Sequence, residues 1–220
     1  MRTTRFSKIT RLVLAAFVGF TTALAFAPYN LWPIAILSPA ILLLLIHQQT
    51  AKQASAIGFM WGFGFFSFGI SWVHVSIDTF GGMPKIASIA LMALLASYLA
   101  LYPALFTGLL NRFFPKVNLT RFILAAPTLW LISEWLRGWV MTGFPWLWLG
   151  YSQIDSPLKN LAPVGGVDLV SFACLLIAGP LAYSLLTKRW KALLVPVIIA
   201  AVSASLNSVH WVELNPASTT

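Results

Sequence analysis

Ile86-Ala-Ser-Ile-Ala-Leu-Met-Ala-Leu-Leu-Ala-Ser-Tyr-Leu-Ala-Leu-Tyr-Pro-Ala-Leu-Phe-Thr-Gly-Leu-Leu110 runs for 25 residues without one charged side chain. An α-helix needs about 20 mostly apolar residues to cross some 30 Å of hydrocarbon, so this stretch reads as a membrane span. The rest of the chain has the same character. Of its 220 residues 59% are apolar and only 9% charged, with a mean hydropathy of +0.85. Soluble domains are roughly a quarter charged, which places this chain among integral membrane proteins.

Working outward, seven segments are long or apolar enough to be spans: Leu12–Ala27, Leu31–Ile46, Ala54–Ile77, Ile86–Leu110, Phe122–Val140, Val164–Leu186 and Ala192–Val209. The first two are short and carry or adjoin Pro28, Pro33 and Pro39, a composition that packed neighbouring helices tolerate in a membrane. The expected fold is an all-α bundle of about seven transmembrane helices, one transmembrane domain over residues 1–220. The net charge of +9 does not indicate nucleic acid, because the cations are scattered between apolar segments rather than gathered on one face.

Seven crossings with the N-terminus in the cytoplasm put Arg2, Arg5, Lys8, Arg11, Lys52, Arg112, Lys116, Arg121, Lys188, Arg189 and Lys191 on the cytoplasmic side. Lys85, Arg137 and Lys159 fall elsewhere, and the acids Asp78, Glu134, Asp155, Asp168 and Glu213 all lie toward the outer face. That asymmetry satisfies the positive-inside rule and sends the C-terminus outside. Ala25-Phe-Ala27 after a basic start resembles a signal-peptide cleavage site. Pro28 directly follows it, and removing the first span would invert every later loop, so the segment is expected to be retained.

The outer connections hold the unusual sequence. One runs from Ser76 to Lys85 through Asp78-Thr-Phe-Gly-Gly-Met-Pro84. The longest runs from Met141 to Pro163 and follows Glu134-Trp-Leu-Arg137, with Trp130, Trp135, Trp139, Trp146, Trp148 and Tyr151 at one level. An interfacial aromatic belt accounts for the ring types. It does not account for the Gly143-Phe-Pro-Trp146 spacing, which suggests a shaped surface or re-entrant loop. Glu134 and Arg137 share a helical face, either as a pair at the interface or as a polar-headgroup contact through the guanidinium.

Other groups read more plainly. Cys174 is the single cysteine and lies in an apolar span, where a thiol packs as a small hydrophobe and thiolate chemistry is disfavoured. His74, Asp78 and Asp168 match no compact metal-ligand spacing, and no cofactor motif is present. Asp168 suits the start of the sixth span, where a carboxylate meets the helix dipole. Gly58-Phe-Met-Trp-Gly62 is a GxxxG that favours close helix approach, within the bundle or between two copies.

Several blocks together resemble the membrane part of bacterial apolipoprotein N-acyltransferases: Leu24 to Tyr29 with Trp32-Pro33, Gly58 to Gly64, Trp72 to Pro84, Glu134 to Tyr151, and Ser152 to Pro163. The likeness covers nearly the whole chain, in the family's order. It implies an inner-membrane enzyme of lipoprotein maturation that moves an acyl chain from a phospholipid to the amino group of a diacylglyceryl-cysteine on an apolipoprotein. In that family a nitrilase-like periplasmic domain carries a Glu-Lys-Cys triad. No position here matches the triad, and the chain ends at Thr220 without that domain or the family's closing helix.

The resemblance therefore implies a truncated, lipid-binding portion with no catalytic residue of its own. Trp61, Trp72, Phe80, Gly81, Gly82, Glu134, Arg137, Phe144, Pro145, Trp146 and Tyr151 match family blocks near the outer leaflet and are the candidates for a lipid portal. The alternatives are the membrane subunit of a split enzyme with a separately encoded catalytic partner, and a non-enzymatic interaction or transport protein. Against transport, the chain shows no duplicated halves.

Overall fold

The computed structural model describes residues 7–209, and its regular structure is entirely helical. Arg2, Arg5, Glu213 and the tail through Thr220, all used in the charge argument above, lie outside the described residues. Helix α1 (Lys8–Thr22) begins at Ser7, whose hydroxyl accepts from Thr10 N–H, and tightens into a 3₁₀ turn at Ala23–Ala25. The others are α2 (Ile34–Leu45), α3 (Ala51–Gly69), α4 (Val73–Gly81), α5 (Lys85–Phe113), α6 (Ala126–Trp139), α7 (Ala162–Thr187) and α8 (Leu194–Ser205). A π-helical turn at Thr120–Ala125 leads into α6.

Among the described residues four helical stretches can cross a membrane by length and composition: Lys8–Ala25, Lys85–Phe113, Pro157–Thr187 and Trp190–Ser208. The bent pair α3–α4 makes a fifth. The sequence predicts seven, and the difference has two sources. Helix α2 has 12 residues, about 18 Å at 1.5 Å per residue, because the chain around Pro28 and Pro33 turns before the helix starts. The segment through α6 carries Arg121, Glu134 and Arg137, which lower its hydropathy.

The third predicted span is interrupted as well. Ile70 leaves helical geometry (φ −110°, ψ 18°), and α4 departs at 51° from α3. Leu147, arriving from the outer loop, presses its side chain against Gly69 at this bend, where an added Cβ would stand 2.5 Å from Leu147 Cδ1. What reads as the loop Ser76–Lys85 is thus largely helix, closed by Gly82 in the left-handed region (φ 64°).

Packing centres on α3, which lies between α1 and α5. Gly58 and Gly62 form its contact with α5: a Cβ on Gly58 would stand 2.5 Å from Pro103 O, and one on Gly62 would stand 2.9 Å from Ala100 Cα. With lipid outside as apolar as the core, such close backbone approach is what holds helices together. Helix α2 sits against α1 and α7 with eight of its residues buried, so its shortness does not force its ends into lipid. Thr50 closes the start of α3 with a capping box, its hydroxyl accepting from Gln53 N–H while Gln53 accepts from Thr50 N–H.

Candidate functional site: an aromatic groove held by a buried ion pair

The outer loop returns onto the helix it leaves. Helix α6 ends at Trp139, and Met141 and Thr142 take positive φ before Gly143 (φ 81°) reverses the chain. Only glycine fits there, because a Cβ would fall on the carbonyl oxygen of Gly138. Gly138 in turn leaves room for the Trp148 ring, whose Cζ2 would stand 2.8 Å from a Cβ at that position. Phe144 N–H then donates to Arg137 O at 2.7 Å, so the loop is fastened to the last turn of α6.

Glu134 and Arg137 fix the remainder. Both are 3% exposed, with Arg137 Nη2 3.8 Å from Glu134 Oε1. The guanidinium donates to the carbonyls of Phe144 (3.1 Å), Trp146 and Leu147 (3.3 Å), and it lies 5.1 Å from the centroid of the Phe66 ring. Glu134 Oε1 accepts from Leu149 N–H at 2.7 Å. Next along, Gly150 N–H donates to Ser171 Oγ at 2.8 Å, drawing the chain onto α7. Of the two sequence readings for this pair, the geometry gives a third use: the pair is enclosed and grips the loop backbone, so the guanidinium fork is occupied by carbonyl oxygens rather than turned to a headgroup.

The loop so held walls a groove of about 370 Å³. Pro145, Trp146, Leu147, Tyr151 and Ile154 form one side, and Phe26 and Ala27, just past the 3₁₀ end of α1, form the other. Trp146 and Tyr151 remain about half exposed, and Phe144 packs behind with its ring centroid 5.2 Å from that of Trp146. Pro145, Trp146 and Tyr151 are therefore brought together, with Phe144, Glu134 and Arg137 as their support.

The other sequence candidates stand elsewhere. Trp61 is 0% exposed in the core, donating from Nε1 to Ser38 Oγ at 2.9 Å with its ring edge-to-face on Trp130. Trp72 lies half exposed at the α3–α4 bend. Phe80, 88% exposed, and Gly81 and Gly82 make a separate corner at the end of α4. Sequence reasoning missed Phe26, Ala27, Leu147 and Ile154. The first two sit on the far side of the bundle in sequence, and nothing local links them to the loop.

Cys174 is fully buried. His74 Nδ1 contacts the Ser71 carbonyl, and among the described residues no three of His, Cys, Asp and Glu gather at one point. Asp168 follows a break in α7 at Gly165 and Gly166 (φ 65°), in the first turn of the helix as it resumes.

Comparison with known proteins supplies a family for this geometry. The family described as apolipoprotein N-acyltransferase N-terminal domain matches residues 18–180. An apolipoprotein N-acyltransferase of Vibrio cholerae serotype O1 is 61% identical over 205 residues, covering 93% of this chain and 41% of that protein. One from Vibrio parahaemolyticus is 55% identical over 215 residues, covering 98% of this chain and 43% of the relative. One from Haemophilus influenzae is 40% identical over 211 residues, covering 91% and 39%. The chain thus spans about two fifths of the length of the curated relatives it matches.

Proposed function

The chain belongs to the apolipoprotein N-acyltransferase family, through the N-terminal domain its members share, and on that premise we propose that these residues form the membrane portion of a lipoprotein N-acyltransferase. The whole reaction in this reading transfers an acyl chain from a phospholipid to the amino group of an apolipoprotein's diacylglyceryl-cysteine. The residues here supply the lipid side of it. The groove between Phe26–Ala27 and the Pro145–Ile154 wall admits the phospholipid laterally, with Trp146 and Tyr151 at its mouth.

The observation that carries this reading is that an apolar, aromatic groove is held by a buried ion pair whose guanidinium and Glu134 Oε1 bond the loop backbone. An interfacial belt needs no such clamp. Cys174, enclosed in the bundle, is not the nucleophile, so the bond-making group comes from outside these residues, whether on the same polypeptide or on a partner subunit.

The same reading threads the chain seven times through the bacterial inner membrane, with α3–α4 as one bent crossing and α2 and α6 as short or polar crossings enclosed by their neighbours. The cytoplasmic end carries Lys8, Arg11, Lys52, Arg112, Lys116, Arg121, Lys188, Arg189 and Lys191, and the periplasmic end carries the groove. Photo-crosslinking with a phospholipid bearing a reactive acyl chain tests the groove. The expected adducts map to the Pro145–Ile154 peptide and fall sharply in Trp146→Ala. Adducts confined to other helices, unchanged by that substitution, refute the assignment.

A further inference from the structure

At the end of the bundle opposite the groove, the π-helical turn before α6, the end of α7 and the start of α8 enclose a depression of about 550 Å³. Ile123 and Val195, both half-buried, give it an aliphatic floor beside the more exposed Leu119, and the exposed Lys188, Arg189 and Lys191 form its rim. Tyr183, itself 3% exposed, lines the wall, and its hydroxyl lies 3.5 Å from Arg189 Nη1. Lys188 Nζ stands 5.8 Å from the Trp190 ring centroid. Among the described residues the acids Asp78, Glu134, Asp155 and Asp168 all lie toward the other end, so the rim has no internal counter-ion there.

We propose that this depression binds the headgroup of an anionic phospholipid, with the phosphate among the three cations and the first acyl carbons on the aliphatic floor. Basic recesses between membrane helices recognise anionic headgroups in this way. A zwitterionic headgroup brings an ammonium that the rim repels, so the site discriminates by net charge. Setting topology requires only cations somewhere in the connection, and one detail exceeds that need. Lys188 closes α7 in the left-handed region (φ 61°, ψ 19°), its N–H donating to Ser184 O at 2.8 Å. Glycine is the usual residue at that position because a Cβ strains it. The chain keeps a lysine there, exposed and lining the depression beside Trp190.

This site is separate from the proposed entry groove. Only its assignment to the cytoplasmic leaflet rests on the threading given above. Binding is therefore tested on the full chain in detergent, where sidedness plays no part, by native mass spectrometry with equal phosphatidylglycerol and phosphatidylethanolamine. The wild-type chain retains phosphatidylglycerol in preference. Lys188→Gly relieves the strained turn, so its melting temperature holds or rises while that preference falls about fivefold, the effect of one charge near a headgroup. Arg189→Gln with Lys191→Gln lowers it about 25-fold by the same factor applied twice, and tests the site even if the glycine variant misfolds. Lys159→Gln, which removes an exposed cation at the other end of the bundle, leaves the preference unchanged. Equal retention of the two lipids by the wild type, or wild-type preference in both rim variants, overturns the proposal.

Discussion

Replacing Arg137 with methionine keeps the unbranched stem and removes the guanidinium, with its charge and every donor. Two losses follow. Glu134, 3% exposed, loses the cation 3.8 Å away, and breaking a buried pair by deleting one partner costs about 3 to 5 kcal/mol. The carbonyls of Phe144, Trp146 and Leu147 lose their common donor. An unpaired buried polar group costs about 1 to 3 kcal/mol. These oxygens belong to a loop with half-exposed residues, so water recovers part of that cost once the loop lifts. The net destabilisation is set at about 4 to 6 kcal/mol, a large share of the 5 to 15 kcal/mol by which folded domains are stable. Arg137→Lys keeps the charge and loses the fork, and falls between, at about 1.5 to 3 kcal/mol.

The assay is equilibrium unfolding of the purified chain in mixed micelles, read by tryptophan fluorescence, with chymotrypsin as a local probe. The loop carries Trp146 and Trp148, each followed by leucine, so its release gives early cleavage between Trp146 and Leu149 before the helices unfold. Should Arg137→Met unfold within about 1 kcal/mol of the wild type, the scale of an ordinary surface substitution, with the loop cut no faster, the clamp is not what holds the groove wall.

Three further outcomes follow from the packing and from one titrating group. Gly62→Leu drives a side chain into Ala100 and Pro103 of α5, where a single Cβ already stands 2.9 Å from Ala100 Cα. It lowers stability by at least the 1 to 3 kcal/mol typical of overpacking (~), and an unchanged melting temperature in detergent contradicts the α3–α5 contact. Trp61→Phe removes the indole donor from Ser38 while keeping most of the ring, costing about 1 kcal/mol; a cost above about 3 kcal/mol, the range for full ring deletion in a core, would show that packing rather than the hydrogen bond dominates. His47 is held below its ordinary pKa of 6.5 by burial first and then by the cations Arg121 and Arg11. The unfolded chain therefore takes up the proton before the folded chain does. Stability contributed by this group is present above pH 6.5 and is lost as the pH falls through the folded pKa. The melting temperature drops more steeply below pH 6.5 in the wild type than in His47→Gln, and parallel curves count against the burial.

What could be read from the sequence was what repeats locally. The uncharged run through Leu110 gives α5, and the GxxxG gives a close helix contact, because both depend on neighbours within a turn or two. The groove is different. Glu134 and Arg137 announce a shared face by their spacing, yet their partners are backbone groups of residues 144 to 149, and backbone acceptors leave no mark in a sequence. Gly138 and Gly143 were the available signal, since two small residues bracketing a helix end suit a chain folding back on itself. The opposite wall, Phe26 and Ala27, lies more than a hundred residues away and only tertiary packing reveals it. The bend at Ile70 was hidden for a related reason: no proline marks it, Gly69 and Ser71 are tolerated within membrane helices, and the side chain pressed against Gly69 is Leu147 from another part of the chain.

Arg121 shows why such clamps suit this environment. It is 3% exposed at the other end of the segment that contains α6, and it donates to the carbonyls of Leu110 and Phe114, the terminal turn of α5, and to Asn111 Oδ1. Asn111 Nδ2 donates onward to Ile46 O and Gln49 O, closing the end of α2 and the connection to α3. Helix ends leave carbonyls without partners, and where packing excludes water those oxygens need donors from within the protein. Arginine supplies several from one planar group and stays charged when buried more readily than lysine. One polar segment thus carries a guanidinium to each end: Arg121 holds the end of α5 and, through Asn111, the turn that follows α2 on the cationic side, and Arg137 binds the loop on the other. Held at both ends, the segment fixes the backbone beneath Trp146 and Tyr151, whose half-exposed rings line the groove.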